Sequence, residues 1–565
     1  MRRPALVRTL ALTAALTPGA ALACGGFFRG ETVVDQSAER IIFKQHADGG
    51  LETLFDIRYQ GDPRSFAWVI PVTGVAEESK PGDQPDLSVF ELIDSVTAPV
   101  IQAACVVSEA GGSIDAGAPG EPPGLDPDLA ANESSRVQVL DRRVVGAYDI
   151  VTLDATDADA LTKWLREREF RITDEMVPFL KLYLGKGLKF MAIKLVADAG
   201  LEGIKPLRLR YAAGTPLVPL RLASLAAVPE MGLTVIHLGE GRITPANTAE
   251  LPVDLDQLAW DSHSETSNWS TLVARAIDAN RGEGMVVDYA GDAEPIRSDA
   301  ANENLGRFVA GEDTAKARQF VADLLDGVKY VTRLSGRYAP EEMGIDLTFK
   351  AAPTLDDVAR ERQQPREELC YSDRRSCDFM ACGQGGLCVL TTDANGENVP
   401  ACACVDGAAA RAVADDDVPG GVRVSCVDVR MNVDPIDATK PLDPTLPDLP
   451  PLDNPCSDDP CGGHGECFAL NGAQTCLCER GFVAVAQQKG DTLVATCQAP
   501  SEDVPDDFYR RQLPEPRLPF PGMGGAPQSL SDEGCAQTPA PSSRSAWWML
   551  LGGLPLLLRR MRKRG

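Results

Sequence analysis

The sequence predicts an α+β body with mainly antiparallel sheet, followed by two small disulfide-rich modules. Between residues 24 and 360, short apolar or alternating runs come in groups with helical stripes in pairs between them. Strict βαβ alternation is missing, which favours α+β over a doubly wound sheet. Twelve of the sixteen cysteines fall into two sets of six with nearly the same spacing. At 565 residues and 44% hydrophobic content, the chain has room for one large core besides these modules.

Within the body, Arg40 to Phe43, Leu51 to Tyr59, Ser65 to Val72, Arg136 to Leu153, Leu188 to Val196, Leu207 to Tyr211, Leu217 to Leu225 and Leu233 to Leu238 read as strands. Helical spacing predicts four helices, around Leu161, Trp164 and Leu165; around Met176, Phe179, Leu180 and Tyr183; around Trp269, Leu272, Val273, Ala276 and Ile277; and around Ala317, Phe320, Val321 and Leu324. Residues 107–135 are too rich in Gly, Pro and Asp to pack and are expected to form a disordered insert. Tyr183-Leu184-Gly185-Lys186-Gly187 reads as a helix stop rather than a phosphate loop.

Cys377, Cys382, Cys388, Cys402, Cys404 and Cys426 leave gaps of 4, 5, 13, 1 and 21 residues; Cys456, Cys461, Cys467, Cys476, Cys478 and Cys497 leave 4, 5, 8, 1 and 18. Segments this short bury too little apolar surface to stand alone, so cross-links worth ~2–4 kcal/mol each supply the difference. Zinc is the alternative, but it favours paired short-spaced knuckles, and here a lone C-x-C sits between long gaps. Gly386 and Gly465 stand two residues before the third cysteine, and Gly407 and Gly481 three after the fifth. With them both sets, 370–430 and 456–500, resemble the EGF-like module. The resemblance implies pairing of Cys377 with Cys388, Cys382 with Cys402, Cys404 with Cys426, Cys456 with Cys467, Cys461 with Cys476, and Cys478 with Cys497. The acidic signature of calcium-binding members is lacking, since Asp453 and Asn454 lead into Pro455, so no metal is expected in the modules.

Residues 1–23 carry Arg2, Arg3 and Arg8, an apolar run and Ala21-Leu22-Ala23, the pattern of a cleaved export signal. Cys24 follows directly and leaves lipidation open as the alternative. Proline recurs through 431–455, expected to form an extended linker, and 501–545 reads as a low-complexity stalk. Together with the modules, these spacers are expected to carry the body away from the envelope. Residues 546–565 join a short apolar stretch, Ala546 to Leu558, to an arginine cluster. With Cys535 upstream, this end resembles the myxobacterial-type C-terminal sorting tail, which implies processing and lipid attachment at Cys535 by sorting machinery. A plain C-terminal membrane anchor is the alternative, although the apolar run is short for a span.

Cys24-Gly25-Gly26-Phe27-Phe28, Glu39 to Phe43, Ser65 to Val72, Val145 to Tyr148, Phe190 to Leu195, Pro245-Ala246-Asn247 and Tyr330 to Leu334 resemble the bacterial exported domain-of-unknown-function family 2330. The resemblance covers about 24 to 350 and implies an envelope protein with no known reaction. Outside the modules lie Cys24, Cys105, Cys370 and Cys535. A Cys24–Cys105 bridge with Cys370 unpaired or bonded elsewhere, and a Cys105–Cys370 bridge with Cys24 lipidated, both remain open.

The formal net charge of −27 disfavours nucleic acid as a partner, because no Lys/Arg cluster survives processing. The four histidines, His46, His237, His263 and His464, form no H-E-x-x-H, and G-x-S-x-G and P-loop motifs are absent. No cofactor is expected. His237 alternates with apolar neighbours and reads as a strand histidine, with a general base as the alternative. Glu341 with Glu342, and Asp254 with Asp256, are carboxylate pairs of little diagnostic weight. Trp68, Trp164 and Trp269 read as core, with a sugar or peptide groove as the alternative. The expectation is a non-enzymatic, exported protein held at the cell surface or outer membrane near its C-terminus. It would contact the membrane only through its anchor and serve adhesion, recognition or envelope interaction with an envelope or extracellular protein or polysaccharide. The alternatives are an exported hydrolase of polysaccharide or peptide, and a self-assembling envelope component linked through Cys370.

Overall fold

The computed structural model describes residues 21–22, 26–27 and most of 35–514. Outside the description lie 61–66, 78–86, 104–135, 196–205, 302–312, 365–368, 372–375, 416–420, 432–455, 457–460 and a few shorter pieces. The export signal up to residue 20, the insert, the proline-rich linker beyond 431, the sorting tail, Cys24, Cys105 and Cys535 therefore fall outside the described residues.

The body is mostly sheet with antiparallel strands and a few helices. In chain order it runs β1 (Asp35–Gln45), β2 (Leu51–Gln60), β3 (Ala67–Val72), α1 (Leu87–Thr97), β4 (Val137–Val145), β5 (Tyr148–Ala155), α2 (Ala158–Arg166), α3 (Val177–Gly185) and β6 (Lys189–Leu195). It continues with β7 (Leu207–Tyr211), β8 (Ala227–Gly239), α4 (Trp269–Ala279), β9 (Gly284–Asp292), α5 (Glu294–Ala301), α6 (Asp313–Leu324) and β10 (Tyr330–Tyr338). One sheet has the order β7-β2-β1-β8-β10-β9, closed by a short strand Ala249–Glu250. Only the β1–β8 and Ala249–β9 pairings in it are parallel. A second, antiparallel sheet joins β3, β6, β5 and β4.

Alternation along the strands sorts side chains into layers, because successive residues point to opposite faces. Ile41 and Phe43 meet Trp68, Ile70, Met191 and Ile193 in a core between the two sheets. Their neighbours Ile42, Leu54, Ile236 and Leu238 face the other way, onto α1, α5 and α6. On the far side of the second sheet, Val69, Leu153 and Phe190 bury Leu161, Trp164, Phe179 and Tyr183 of α2 and α3. The order is helices, sheet, sheet, helices.

Two sequence readings change. Arg136 to Leu153 is a hairpin, turning at Gly146 with φ +58°. Leu217 to Leu225 is a short strand, Pro216–Val218, followed by a helical turn, Leu220–Ala223. Asp346 holds that turn by accepting from the Arg221 amide at 3.3 Å, a partner that sequence spacing cannot reveal. At the end of α3, Gly187 takes φ +76° and the Lys186 amide donates to Leu182, so Gly185-Lys186-Gly187 stops the helix.

The C-terminal region is disulfide-rich, with bridges Cys377–Cys388, Cys382–Cys402, Cys404–Cys426, Cys456–Cys467, Cys461–Cys476 and Cys478–Cys497. Its hairpins are β11 (Gly386–Thr392) with β12 (Asn398–Cys404), β13 (Ala408–Ala414) with β14 (Val422–Asp428), β15 (Gly465–Leu470) with β16 (Ala473–Cys478), and β17 (Val483–Lys489) with β18 (Thr492–Gln498). The first hairpin of one module pairs with the second of the other. Cys402 opposes Ala484, and Ala410 opposes Cys476, giving two four-stranded sheets of mixed origin.

A lone two-stranded hairpin is marginal, and exchanging partners covers one edge of each hairpin. The shared core is built of Ala401, Ala403, Ala408, Ala410, Ala484 and Ala495 around Cys382, Cys402, Cys426, Cys461, Cys476 and Cys497. Phe508 and Tyr509 close it, so the start of the expected 501–545 stalk is packed structure. This differs from modules strung out as spacers. The pair also docks on the body, where Arg275 Nη2 donates to Cys377 O at 2.7 Å, Asn268 Nδ2 to Asp378 O at 3.1 Å, and Arg423 Nη2 to Glu230 O at 3.0 Å.

Candidate binding cleft

A cleft of about 560 Å³ opens over β8 and β10, beside Pro99 to Ile101 after α1 and the short hairpin Trp260–Asp261 with Thr266–Ser267. That volume lies in the range of small-molecule sites. Its floor is set by an irregularity in β9. The register of β9 against β10 shifts between Val287 and Tyr289, leaving Asp288 out of the ladder, and a bulge of this kind re-aims a side chain. Asp288 Oδ1 accepts from Ser335 Oγ at 3.0 Å and Trp269 Nε1 at 3.3 Å, while Oδ2 accepts from Arg333 Nε at 3.2 Å. Burial raises the Asp288 carboxyl above the usual range despite Arg333 and the Ser335 hydroxyl.

Arg333 passes the charge inward. Its Nη1 bonds Asp94 on α1, which also takes Arg40 Nη1, and Arg40 in turn binds Asp56 at 2.6 Å and Glu91 at 3.1 Å. Burial opposes ionisation of Asp94, but Arg333 and Arg40 outweigh it and hold the carboxyl below the usual range. This chain of alternating charges fixes the floor. A buried pair of this kind is costly to break from either side.

The wall carries two indoles. Trp269 starts α4 and is flanked by the Arg362 guanidinium at 5.3 Å, itself held by Asp288 O at 2.9 Å. The Trp260 Nε1 is buried with no acceptor. Between them Glu265 sits at φ +53°, a left-handed conformation unusual for a residue with a side chain. Asn268 fixes the loop by accepting from Ala259 N at 2.8 Å and donating to Gln257 O at 2.9 Å. Trp260–Asp261 pairs in parallel with Cys370–Tyr371, which ties the cleft wall to the segment entering the modules.

Of the residues singled out from sequence, Trp269 lines the cleft while Trp68 and Trp164 are core. Trp260 was missed, as were Asp288 and the Arg333–Asp94–Arg40 chain; the one local signal was a polar Asp288 inside the apolar run Met285 to Ala290. His237 is buried, lowered to about 4 by desolvation, and does not line this cleft. Asp254 caps a short turn by accepting from the Asp256 amide at 3.1 Å. Glu341 and Glu342 are buried where the body meets the modules. Cys370 is disulfide-bonded, so of the two readings with a Cys24–Cys105 bridge the one that leaves Cys370 unpaired falls. The module cysteines pair among themselves, so the partner of Cys370 lies outside the described residues. Among the described residues no group of three or more His, Cys, Asp or Glu side chains is arranged to hold a metal ion, and no helix there is long and apolar enough to cross a membrane.

Residues 18–350 match the model of a family described as "Uncharacterized protein conserved in bacteria (DUF2330)". The match spans more than half of the chain and ends before the six-cysteine modules. No curated protein and no solved structure matches the chain.

Proposed function

The chain belongs to this uncharacterised bacterial family, and from that starting point we propose that it is an exported, surface-held recognition protein whose body binds an envelope or extracellular ligand in the cleft over Asp288. The observation that carries the reading is the cleft itself, with two indoles on its wall and a floor whose charges are already paired. Both Asp288 oxygens are engaged, so the carboxylate acts as a fixed strut and not as a proton carrier free to serve a reaction. Indole faces beside hydroxyls of Thr266, Ser267 and Ser270 suit a polyhydroxylated or peptide ligand with little net charge. Resemblance of the paired modules to EGF-like domains, the export signal and the sorting tail with Cys535 support presentation outside the cell.

The test is direct binding of the purified protein to polysaccharide and protein fractions of isolated envelope, followed by intrinsic indole fluorescence. Trp260→Ala and Trp269→Phe should each weaken binding by about tenfold or more, with Trp269→Phe also lowering the melting temperature because it removes a donor from buried Asp288. Absence of binding to every fraction, together with normal surface behaviour of a deletion strain, would sink the proposal. Turnover of an envelope polymer by the purified protein would favour the hydrolase instead.

A further inference from the structure

Four carboxyl groups meet where the body touches the module pair. Glu230 lies where the β8 register shifts between Ala227 and Gly232, at φ +55°, and neither of its carboxylate oxygens has a hydrogen-bond partner. Glu341 and Glu342 come from a short helical turn, Pro340–Glu342, and Asp278 from the last turn of α4. Glu341 Oε2 and Asp278 Oδ1 are also buried without a partner.

The module side faces them closely. Gln384 Nε2 donates to Glu342 Oε1 at 2.6 Å, the Asp428 amide donates to the Glu341 carboxyl, and a Cβ on Gly383 would stand 3.6 Å from Glu230 Oε1. The remaining charged groups are largely committed. Arg423 and Arg337 both pair with Asp415, Arg430 pairs with Asp428, and Arg423 spends a further N–H on the carbonyls of Pro229 and Glu230. Tyr338, behind Glu342, donates to Gly284 O.

Four buried carboxylates beside guanidiniums already shared with Asp415 cannot all stay ionised in a dry seam. They need counter-charge from protons or from a cation, and their oxygens are not arranged around an ion. We propose that the seam is a proton-operated latch: Glu230, Asp278, Glu341 and Glu342 hold protons while the modules are docked, and release them to solvent as the seam opens. Burial pushes Glu341 up to about 8, burial raises Glu230 despite Arg423 and Arg337, and burial with repulsion from the neighbouring carboxylates raises Asp278 and Glu342. Because these groups are raised in the docked state, docking is strongest below the ordinary carboxyl range near 4.5 and weakens as pH climbs through about 8.

The latch is independent of what the cleft binds. The experiment is hydrogen exchange of the full chain between pH 5.5 and 8.5, corrected for base-catalysed chemistry and read at 226–232 and 422–428. Opening at these segments should rise by about tenfold or more across that range in the wild type and by less than about threefold in Glu341→Gln/Glu342→Gln. The isosteric single variants, Glu341→Gln and Glu342→Gln, should give intermediate slopes. A flat wild-type profile overturns the latch, as does a double variant that keeps the wild-type slope. Restoration of protection at pH 8.5 by calcium or magnesium chloride alone would show that a cation supplies the counter-charge, and would overturn it too.

Discussion

Asp94 links the cleft floor to the interior through Arg333. It joins two guanidiniums, Arg40 and Arg333, that approach from strands far apart in sequence. Asp94→Ala would leave both partly unpaired in a buried setting, and we expect a loss of about 3–5 kcal/mol in chemical denaturation. The sign with pH is also fixed. The Asp94 carboxyl is held below its ordinary range in the folded state, so its contribution is present above that range and lost as pH falls through the lowered value. Nothing in the local sequence of Asp94 announces this role; it sits in Leu87–Thr97, a helix that the sequence reading did not include. Trp269 shows the opposite balance. Its helical spacing marks α4 correctly, but helix periodicity says nothing about which indole overlooks a cleft.

Among the elements, strand alternation was the most legible feature. Ile41, Ile42 and Phe43 are all apolar, and the structure explains why: a sheet with cores on both faces asks for apolar residues on both. Helices α2, α3, α4 and α6 follow their apolar stripes, whereas β9 and β10 escaped notice: Asp288 interrupts the apolar run of β9, and in β10 Arg333, Ser335 and Arg337 alternate with Leu334, Gly336 and Tyr338 on a strand with few apolar residues. In the modules, the repeated cysteine spacing marks a disulfide-rich region, but the exchange of hairpins between modules has no local code. It depends on small residues at the crossing. Ala410 and Ala484 are fully buried where β13 meets β16 and β12 meets β17. Ala410→Leu should overpack this crossing and destabilise the module pair by about 1–3 kcal/mol, measured as an earlier transition of the C-terminal region in differential scanning calorimetry.

For the whole molecule, the family match stops at 350 while the described packing continues through the modules to Leu513. The body therefore has a face built to be covered. Removing the modules would expose Glu230, Glu341 and Glu342 and strip Asn268 and Arg275 of their acceptors at Asp378 and Cys377. A chain ending near residue 364 should melt several degrees below the full chain, a gap that narrows at pH 8.5, where the docked seam itself is weakest. Equal melting temperatures at acidic pH would show that the modules add nothing to the body.

The sequence by itself determined the two-sided strands, most of the helices, the disulfide-rich C-terminal region and the membership of residues 18–350 in an uncharacterised bacterial family. These are local or repeated properties, written in spacing. Only the tertiary structure decided that the modules share sheets, that they cap the body, and that Asp288, Asp94 and Arg333 meet beneath Trp269. The physical reason is the same in each case. Buried charges and sheet edges are stabilised by partners tens to hundreds of residues away, and periodicity carries no record of which distant partner will arrive.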